Sequence, residues 1–402
     1  MKVRLFTLAA VAATTLSAQG VAQFDSLERA LADLNSGLVA PANNDHVTWG
    51  GDFRLRNNWD DNGSATNNRD FDTRMRLTAA FAITEDSSAF AGFNGSEAWG
   101  AADEGFTEAE AGTTGSNTAT RVDRAYVTVN NLMGDGGTIK AGRDYYTFGS
   151  GRIMGSDEWD NNPSTQSGIW YMHDMGGMNM HFAMLNQLTG ENGNDEGDDM
   201  TYMLSIDYAL DTGALGTINM SPYAIRAESA AGAANWKGAT LSGSVMGFGY
   251  DAEYAQYDDG SGDSSTAWAV STGIELGILA SVPGISNGSV DIAMSSSDDG
   301  FSTLGATSYG VGGFSDFGGR NGGQEAWAGG TDITAIGMNF SPAEGWEGRV
   351  ASHDVEDSHT SLDLSVSHAF NGNVAGWFGY SMVNPDAGDD AVTFWTTLEV
   401  SF

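Results

Sequence analysis

From residue 46 to residue 402 the chain alternates apolar and polar positions with a period of two. In the stretch from Val47 to Arg56, the apolar Val47, Trp49, Phe53 and Leu55 hold odd positions, and Thr48, Asp52, Arg54 and Arg56 hold even ones. The phase repeats in Phe71, Met75 and Leu77 against Asp72, Arg74 and Arg76. It repeats again in Tyr202, Leu204, Ile206 and Tyr208 against Thr201, Ser205 and Asp207, and in Leu362, Leu364 and Val366 against Ser361, Asp363 and Ser365. Side chains of a strand alternate between two faces, so this period predicts strands with one apolar face. The segments fall near 47–57, 70–83, 87–98, 119–130, 137–146, 167–174, 178–187, 200–209, 215–226, 235–245, 247–257, 265–279, 287–296, 331–340, 346–353, 360–369, 373–383 and 391–402. That makes eighteen strands, or sixteen if the weaker segments around 167–174 and 235–257 are miscounted.

The same alternation would also suit a soluble sandwich. Two features point elsewhere. The second face is made of Gly, Ser, Thr, Asp, Asn and Arg, which suits water more than a dry core. The connections also alternate, short then long. Short turns, long loops and an even strand count are the signature of a transmembrane β-barrel. Closure is required in lipid, where each unpaired backbone group costs several kcal/mol. Aromatic residues near strand ends, such as Trp49, Trp59, Trp236, Tyr254, Tyr257, Phe378 and Tyr380, fit interfacial girdles. The expected fold class is therefore all-β: a transmembrane antiparallel barrel over 46–402.

The chain before the barrel reads differently. Lys2 and Arg4 precede the apolar run from Leu5 to Ala13, and Gly20-Val21-Ala22 offers small residues for cleavage. Residues 1–22 are thus expected to be a secretory signal peptide. Residues 23–45 hold a short helix, with Phe24, Leu27, Ala30, Leu31, Leu34 and Leu38 at helical spacing, as an N-terminal arm or a plug. No later stretch has the roughly 18 apolar residues of a spanning helix.

Composition narrows the function. The chain has no cysteine, so disulfide and thiolate-metal sites are excluded. With 17 basic and 53 acidic residues its net charge is −36, which repels nucleic acid. The 55 glycines and 6 prolines fit strands, turns and long loops.

At this point the residues resemble a known family, the Gram-negative outer-membrane porins. The terminal strand ends on aromatic Phe402, similar to the signal read by the barrel-assembly machinery. The run Thr138-Ile139-Lys140-Ala141-Gly142-Arg143-Asp144-Tyr145-Tyr146-Thr147-Phe148-Gly149 resembles the fifth strand of general porins, which precedes an inward-folded third loop. Their loop motif Pro-Glu-Phe-Gly-Gly is absent, and Gly155-Ser156-Asp157-Glu158-Trp159-Asp160 stands in its place. The resemblance implies a homotrimer in the outer membrane, in contact with lipid and lipopolysaccharide.

The candidate chemistry is basic. Ten of the seventeen basic residues lie between Arg54 and Arg152. On the period-two phase Arg54, Arg56, Arg74, Arg76 and Arg124 point into the lumen, with Asp52 and Asp72 among them. Arginine stays charged and presents a fixed fork of donors. Facing the acids Asp157, Glu158 and Asp160 of the inward loop, such a stripe gives a transverse field across a constriction. A plainer reading is that these arginines pair with lumen Asp and hold the wall together.

The acidic outer loops, above all Asp258-Asp259-Gly260-Ser261-Gly262-Asp263, leave room for Ca²⁺ or Mg²⁺ but lack the terminal Glu of an EF-hand. No cofactor is expected, and the acids read first as solvated surface. The Gly-rich stretch 300–330 has no Gly-Lys-Ser/Thr and reads as a long outer loop that folds over the mouth. The rival class, a barrel lipase or protease, has only His353-Asp354 and Asp357-Ser358-His359 to offer, with no Gly-x-Ser-x-Gly. A structural or adhesive barrel is the third class. The expected function is a water-filled, cation-preferring channel for passive diffusion of ions and small polar solutes, without catalytic residues.

Overall fold

The computed structural model describes residues 46–61, 68–99, 119–156 (except 133 and 135), 163–186, 200–213, 216–229, 232–245, 248–276, 287–304, 327 and 329–402. The expected signal peptide and N-terminal helix lie outside the described residues, as does most of the 300–330 loop. Eighteen strands form one sheet. They are β1 (Val47–Asp61), β2 (Asn68–Thr84), β3 (Ser87–Trp99), β4 (Ala119–Leu132), β5 (Gly137–Asp144) and β6 (Gln166–Asp174). Next come β7 (Met178–Asn186), β8 (Met200–Asp211), β9 (Thr217–Ser229), β10 (Gly232–Val245), β11 (Phe248–Asp258) and β12 (Ser264–Glu275). The last six are β13 (Asn287–Ser297), β14 (Asp332–Ser341), β15 (Trp346–Val355), β16 (His359–Asn371), β17 (Val374–Pro385) and β18 (Ala391–Ser401). Every strand pairs antiparallel with its chain neighbours, and β1 pairs with β18 from Asp52↔Ser401 to Asp61↔Val392. The barrel is closed at eighteen strands. Both of the weaker segments are strands, so the sixteen-strand alternative is excluded.

Closure is completed by the last residue. Phe402 N–H donates to the Gly51 carbonyl and Gly51 N–H donates back to the Phe402 carbonyl, each at 2.9 Å. The Phe402 ring is exposed on the outer side of this seam.

The outer face is apolar by register. Trp49, Phe53, Met75, Phe93, Val127, Phe182, Leu204, Tyr254, Trp268, Met294, Ile336 and Leu398 are all exposed there. An apolar band of this extent around a closed barrel is a membrane-facing surface, and no helix among the described residues is long and apolar enough to cross. The girdle expectation holds for Trp49 and Tyr254 but fails for Trp236 and Tyr257. Trp236 is 2% exposed and packs inside the barrel, 5.0 Å from the Tyr257 ring. Their alternation phase is the inward one, because Trp236 sits opposite Ile225 and Tyr257, both inward.

The inward face is not uniformly wet either. Along β6 to β12 it carries Trp170, Ala183, Leu185, Met203, Tyr223, Ile225, Trp236, Ala255, Ala267 and Ala269, all buried in one apolar cluster. On these strands the inward face, expected to line water, is instead the floor of a packed core. What covers them is the segment after β5.

Candidate functional site

After Asp144 the chain leaves the wall and turns inward, as the run from Thr138 to Gly149 predicts. Phe148 N–H donates to the Met154 carbonyl at 2.9 Å, closing a tight excursion whose tip is 149–153. Phe148, Ile153 and Met154 are buried in the apolar cluster. The Phe148 ring meets Tyr223 of β9 edge-on at 5.2 Å. The tip reaches β11, where Ser150 Oγ donates to Glu253 and Arg152 bonds the same carboxylate at 3.2 Å. The foot of the 298–330 loop presses from the other side: Leu304 N–H donates to the Ile153 carbonyl at 2.8 Å. Phe301, Leu304 and Trp327 join the cluster, and Trp236 Nε1 donates to the Ser302 carbonyl at 2.8 Å.

Across from this filled sector, β1 and β2 carry the basic wall. Arg54 and Arg56 on β1, and Asp72, Arg74 and Arg76 on β2, all point inward and are almost fully enclosed, Arg54 and Arg56 at 1% exposure. Arg56 Nε bonds Asp72 Oδ2 at 2.8 Å, and Arg74 meets Asp52 Oδ1 at 3.4 Å. Register pairs Asp52 with Arg76 and Arg56 with Asp72, opposite charges in each case. It also sets Arg54 directly against Arg74. Like charges directly opposite on neighbouring strands destabilise a sheet. Glu399 of β18, directly opposite Arg54 on its other side, supplies a compensating carboxylate.

The fifth predicted arginine reaches the same wall by an irregularity. The β3–β4 ladder shifts between Gly92↔Arg124 and Phe93↔Val122, leaving Asp123 as the extra residue of a bulge. Asp123 and Arg124 are therefore both inward. Asp123 accepts a hydrogen bond from the Tyr145 hydroxyl, and Arg124 lies 4.8 Å from the centres of both the Tyr145 and Phe90 rings. Arg76 covers Tyr145 at 5.3 Å. Phe90 stacks on Tyr126 at 5.1 Å, and Lys140 sits 4.1 Å above Tyr126 and 5.3 Å from Trp170. Lys140 also pairs with Asp144. Cations and aromatic rings thus alternate from β2 to β6, each ring attracting the charges beside it. Burial pushes the Tyr145 hydroxyl up from its ordinary range, so it stays a neutral donor.

Seven predicted site residues, Asp52, Arg54, Arg56, Asp72, Arg74, Arg76 and Arg124, are brought together on one inner sector. The other three, Asp157, Glu158 and Asp160, lie outside the described residues. Sequence reasoning missed Asp123, Tyr145 and Glu253. The adjacent polar pair Asp123-Arg124 interrupts the period and is the one visible sign of the bulge. Asp251 and Glu253 are legible as two lumen-phase acids on one strand.

His353 and His359 do not form a Ser-His-Asp relay. A Ser-His-Asp relay holds its serine and its acid on opposite ring nitrogens. His353 Nδ1 instead meets both Ser361 Oγ, at 3.2 Å, and Asp363 Oδ2, at 3.1 Å. His359 Nδ1 bonds Ser358 Oγ at 2.8 Å, with no acid on its other nitrogen among the described residues. No group of three or more His, Asp or Glu able to hold a metal occurs among the described residues.

Among known proteins, no family model and no curated protein matches the chain. Solved structures do resemble it in fold. OprD from Pseudomonas aeruginosa, an outer membrane protein, is 11% identical and superposes with a TM-score of 0.62 over 88% of this chain and 94% of its own. P. aeruginosa OpdK, solved with vanillate, is 11% identical, with a TM-score of 0.60 over 88% and 98%. Acinetobacter baumannii OccAB1 is 12% identical, with a TM-score of 0.57 over 89% and 96%. At such identities the likeness is one of fold.

Proposed function

We propose that the chain is an outer-membrane channel for passive diffusion of small solutes, with a preference for those bearing a carboxylate. The observation that carries this is the gathering of five inward arginines, Arg54, Arg56, Arg74, Arg76 and Arg124, on one sector of a closed barrel. A carboxylate passing along this sector would take charge-assisted hydrogen bonds from guanidinium groups, whose fixed fork of donors matches it. The alternating cations and rings from Arg76 to Lys140 extend the path and suit a flat anion with an aromatic body. OpdK, which shares the fold, was solved with vanillate, an aromatic carboxylate.

The expected cation preference belongs to the same reading at a different scale. The net charge of −36 favours small inorganic cations near the mouth, whereas the arginine sector acts on solutes that touch the wall. Reversal potential in a salt gradient is expected to carry the cation sign.

Single-channel recording in planar bilayers tests the proposal. The folded protein is expected to conduct, and benzoate is expected to interrupt the current more often than benzamide. Absence of conductance, or equal interruption by the charged and neutral compounds, would sink it.

A further inference from the structure

Glu253 stands apart from the basic wall. It is 4% exposed, on β11, and faces the apolar cluster rather than the arginine sector. A carboxylate enclosed to this degree needs charged and hydrogen-bonded partners. It has three. Ser150 Oγ and Arg152 come from the tip of the inward segment, the latter at 3.2 Å, and Tyr223 Oη donates from β9 at 3.0 Å. Asp251, one inward position along β11, lies 4.0 Å from the same guanidinium.

The wall is shaped to make this joint. A Cβ on Gly238 would sit 2.5 Å from the Tyr223 ring and hydroxyl, so only glycine there lets the phenol lie flat on β10 and reach Glu253. Arg152 is capped from outside by the Trp327 ring, 5.9 Å from its guanidinium carbon. The tip is thus gripped by one buried carboxylate from the wall and by the foot of an outer loop above it.

We propose that Glu253 is the positioning residue of the channel: by clamping Ser150 and Arg152 it fixes how far the 145–156 segment stands into the lumen. The inference rests on the channel reading, because it assigns the clamp to the free cross-section. Without the clamp, apolar packing of Phe148, Ile153 and Met154 still draws the segment toward β6–β12, but its tip is no longer fixed. The outer-loop foot acts on the same tip, through Leu304 and Trp327, so the clamp is the shared anchor of both loops.

The test compares the full-length, refolded wild type with Glu253→Ala. Two readouts are used, one of them independent of conduction. Arg152 is a trypsin site, and in the folded wild-type barrel it is expected to resist cleavage. In E253A it is expected to be cut while the barrel keeps its heat-modifiable mobility on gels. In bilayers, E253A is expected to show raised open-channel noise and about twofold higher conductance, as a partial obstruction leaves a water-filled lumen. The chain has no cysteine, so a G149C/T240C pair gives a clean cross-link. A Cβ at Gly149 would stand 3.8 Å from Thr240 Cγ2, close enough to pin the tip to β10, and because Gly149 has a φ of 56° the reduced pair serves as the control for strain at the tip. Oxidising that pair in the E253A background is expected to restore wild-type noise and protection at Arg152.

If E253A does not fold, Glu253→Gln, which keeps the volume and the Tyr223 contact, carries the same comparison with the same expected direction. A folded variant with unchanged noise, conductance and resistance at Arg152 would overturn the clamp and leave the channel reading intact. A wild type that does not conduct would sink the channel reading, while cleavage at Arg152 would still decide the clamp.

Discussion

Two sectors of one barrel share an outer surface and differ completely inside. From β1 to β5 the inner wall carries Arg54, Arg56, Arg74, Arg76 and Arg124 with their acids and rings. From β6 to β12 it carries alanines, Leu185, Met203, Ile225 and two tryptophans under the inward segment. Outside, both sectors present the same apolar band. The difference shows which face is constrained by what. Lipid accepts only apolar side chains, so the outward phase has one solution. The inward phase is free, and the chain uses β6–β12 as a packed core and β1–β5 as a charged track. The core gives the inward segment something to dock on, and the track gives a solute something to follow.

The comparison breaks most sharply at Arg56. Replacing it with Met leaves Asp72 enclosed without its 2.8 Å partner, and is expected to cost about 3–5 kcal/mol in urea unfolding monitored by tryptophan fluorescence. On the core side, Leu185 is fully buried beneath the segment. Leu185→Ala is expected to cost about 3 kcal/mol by the same measurement through the cavity it leaves, with ion selectivity unchanged.

Arg54→Met separates track from scaffold. Relief of the repulsion by Arg74 partly offsets the loss of the guanidinium opposite Glu399, so stability is expected to fall by about 1–2 kcal/mol, less than at Arg56. Interruption of the current by benzoate is expected to weaken by roughly tenfold, the equivalent of one charge-assisted bond removed. An equal loss at Arg54 and Arg56 in both assays would mean that the wall is only structural. Lys140→Met probes the border, where one ammonium touches Tyr126 of the track and Trp170 of the core. It also leaves the enclosed Asp144 without its ammonium partner, so the expected cost is about 1–3 kcal/mol.

The smallest effect lies at the foot of the outer loop. Thr266 donates to Asp298 through both its hydroxyl and its N–H, each at 2.7 Å. These bonds hold the Asp298 carboxyl below the ordinary carboxylate range. A depressed acid stabilises above its unfolded value and loses that contribution as pH falls through the folded one. Thr266→Val is expected to raise the Asp298 titration midpoint toward the ordinary range, read by carboxyl-carbon NMR in detergent.

Much of this molecule is legible in one dimension. The strands, eighteen with sixteen left open, their order and the inward phase of Arg54, Arg56, Arg74 and Arg76 follow from alternation, because a side-chain period of two leaves no freedom once one face meets lipid. Arg124 lies inward as its phase predicts, but only the bulge explains why Asp123 lies beside it. Trp236 and Tyr257 are expected outward on residue type, since aromatics at strand ends suit a girdle. Their alternation phase points inward, and phase prevails, because register moves a whole strand face together whatever a single side chain prefers.

The sequence by itself determined a closed antiparallel barrel with an apolar exterior, and gathered most of the cations on its first strands. It did so because strand periodicity and the cost of bare backbone in lipid are local and additive. Only the tertiary structure decided that the inner wall along β6–β12 is a packed apolar core, that Arg54 faces Arg74, and that Glu253 grips a tip some hundred residues away in sequence. Those facts depend on cross-strand register, on a one-residue bulge and on where a loop folds back. Each is a long-range contact that no run of neighbouring residues encodes.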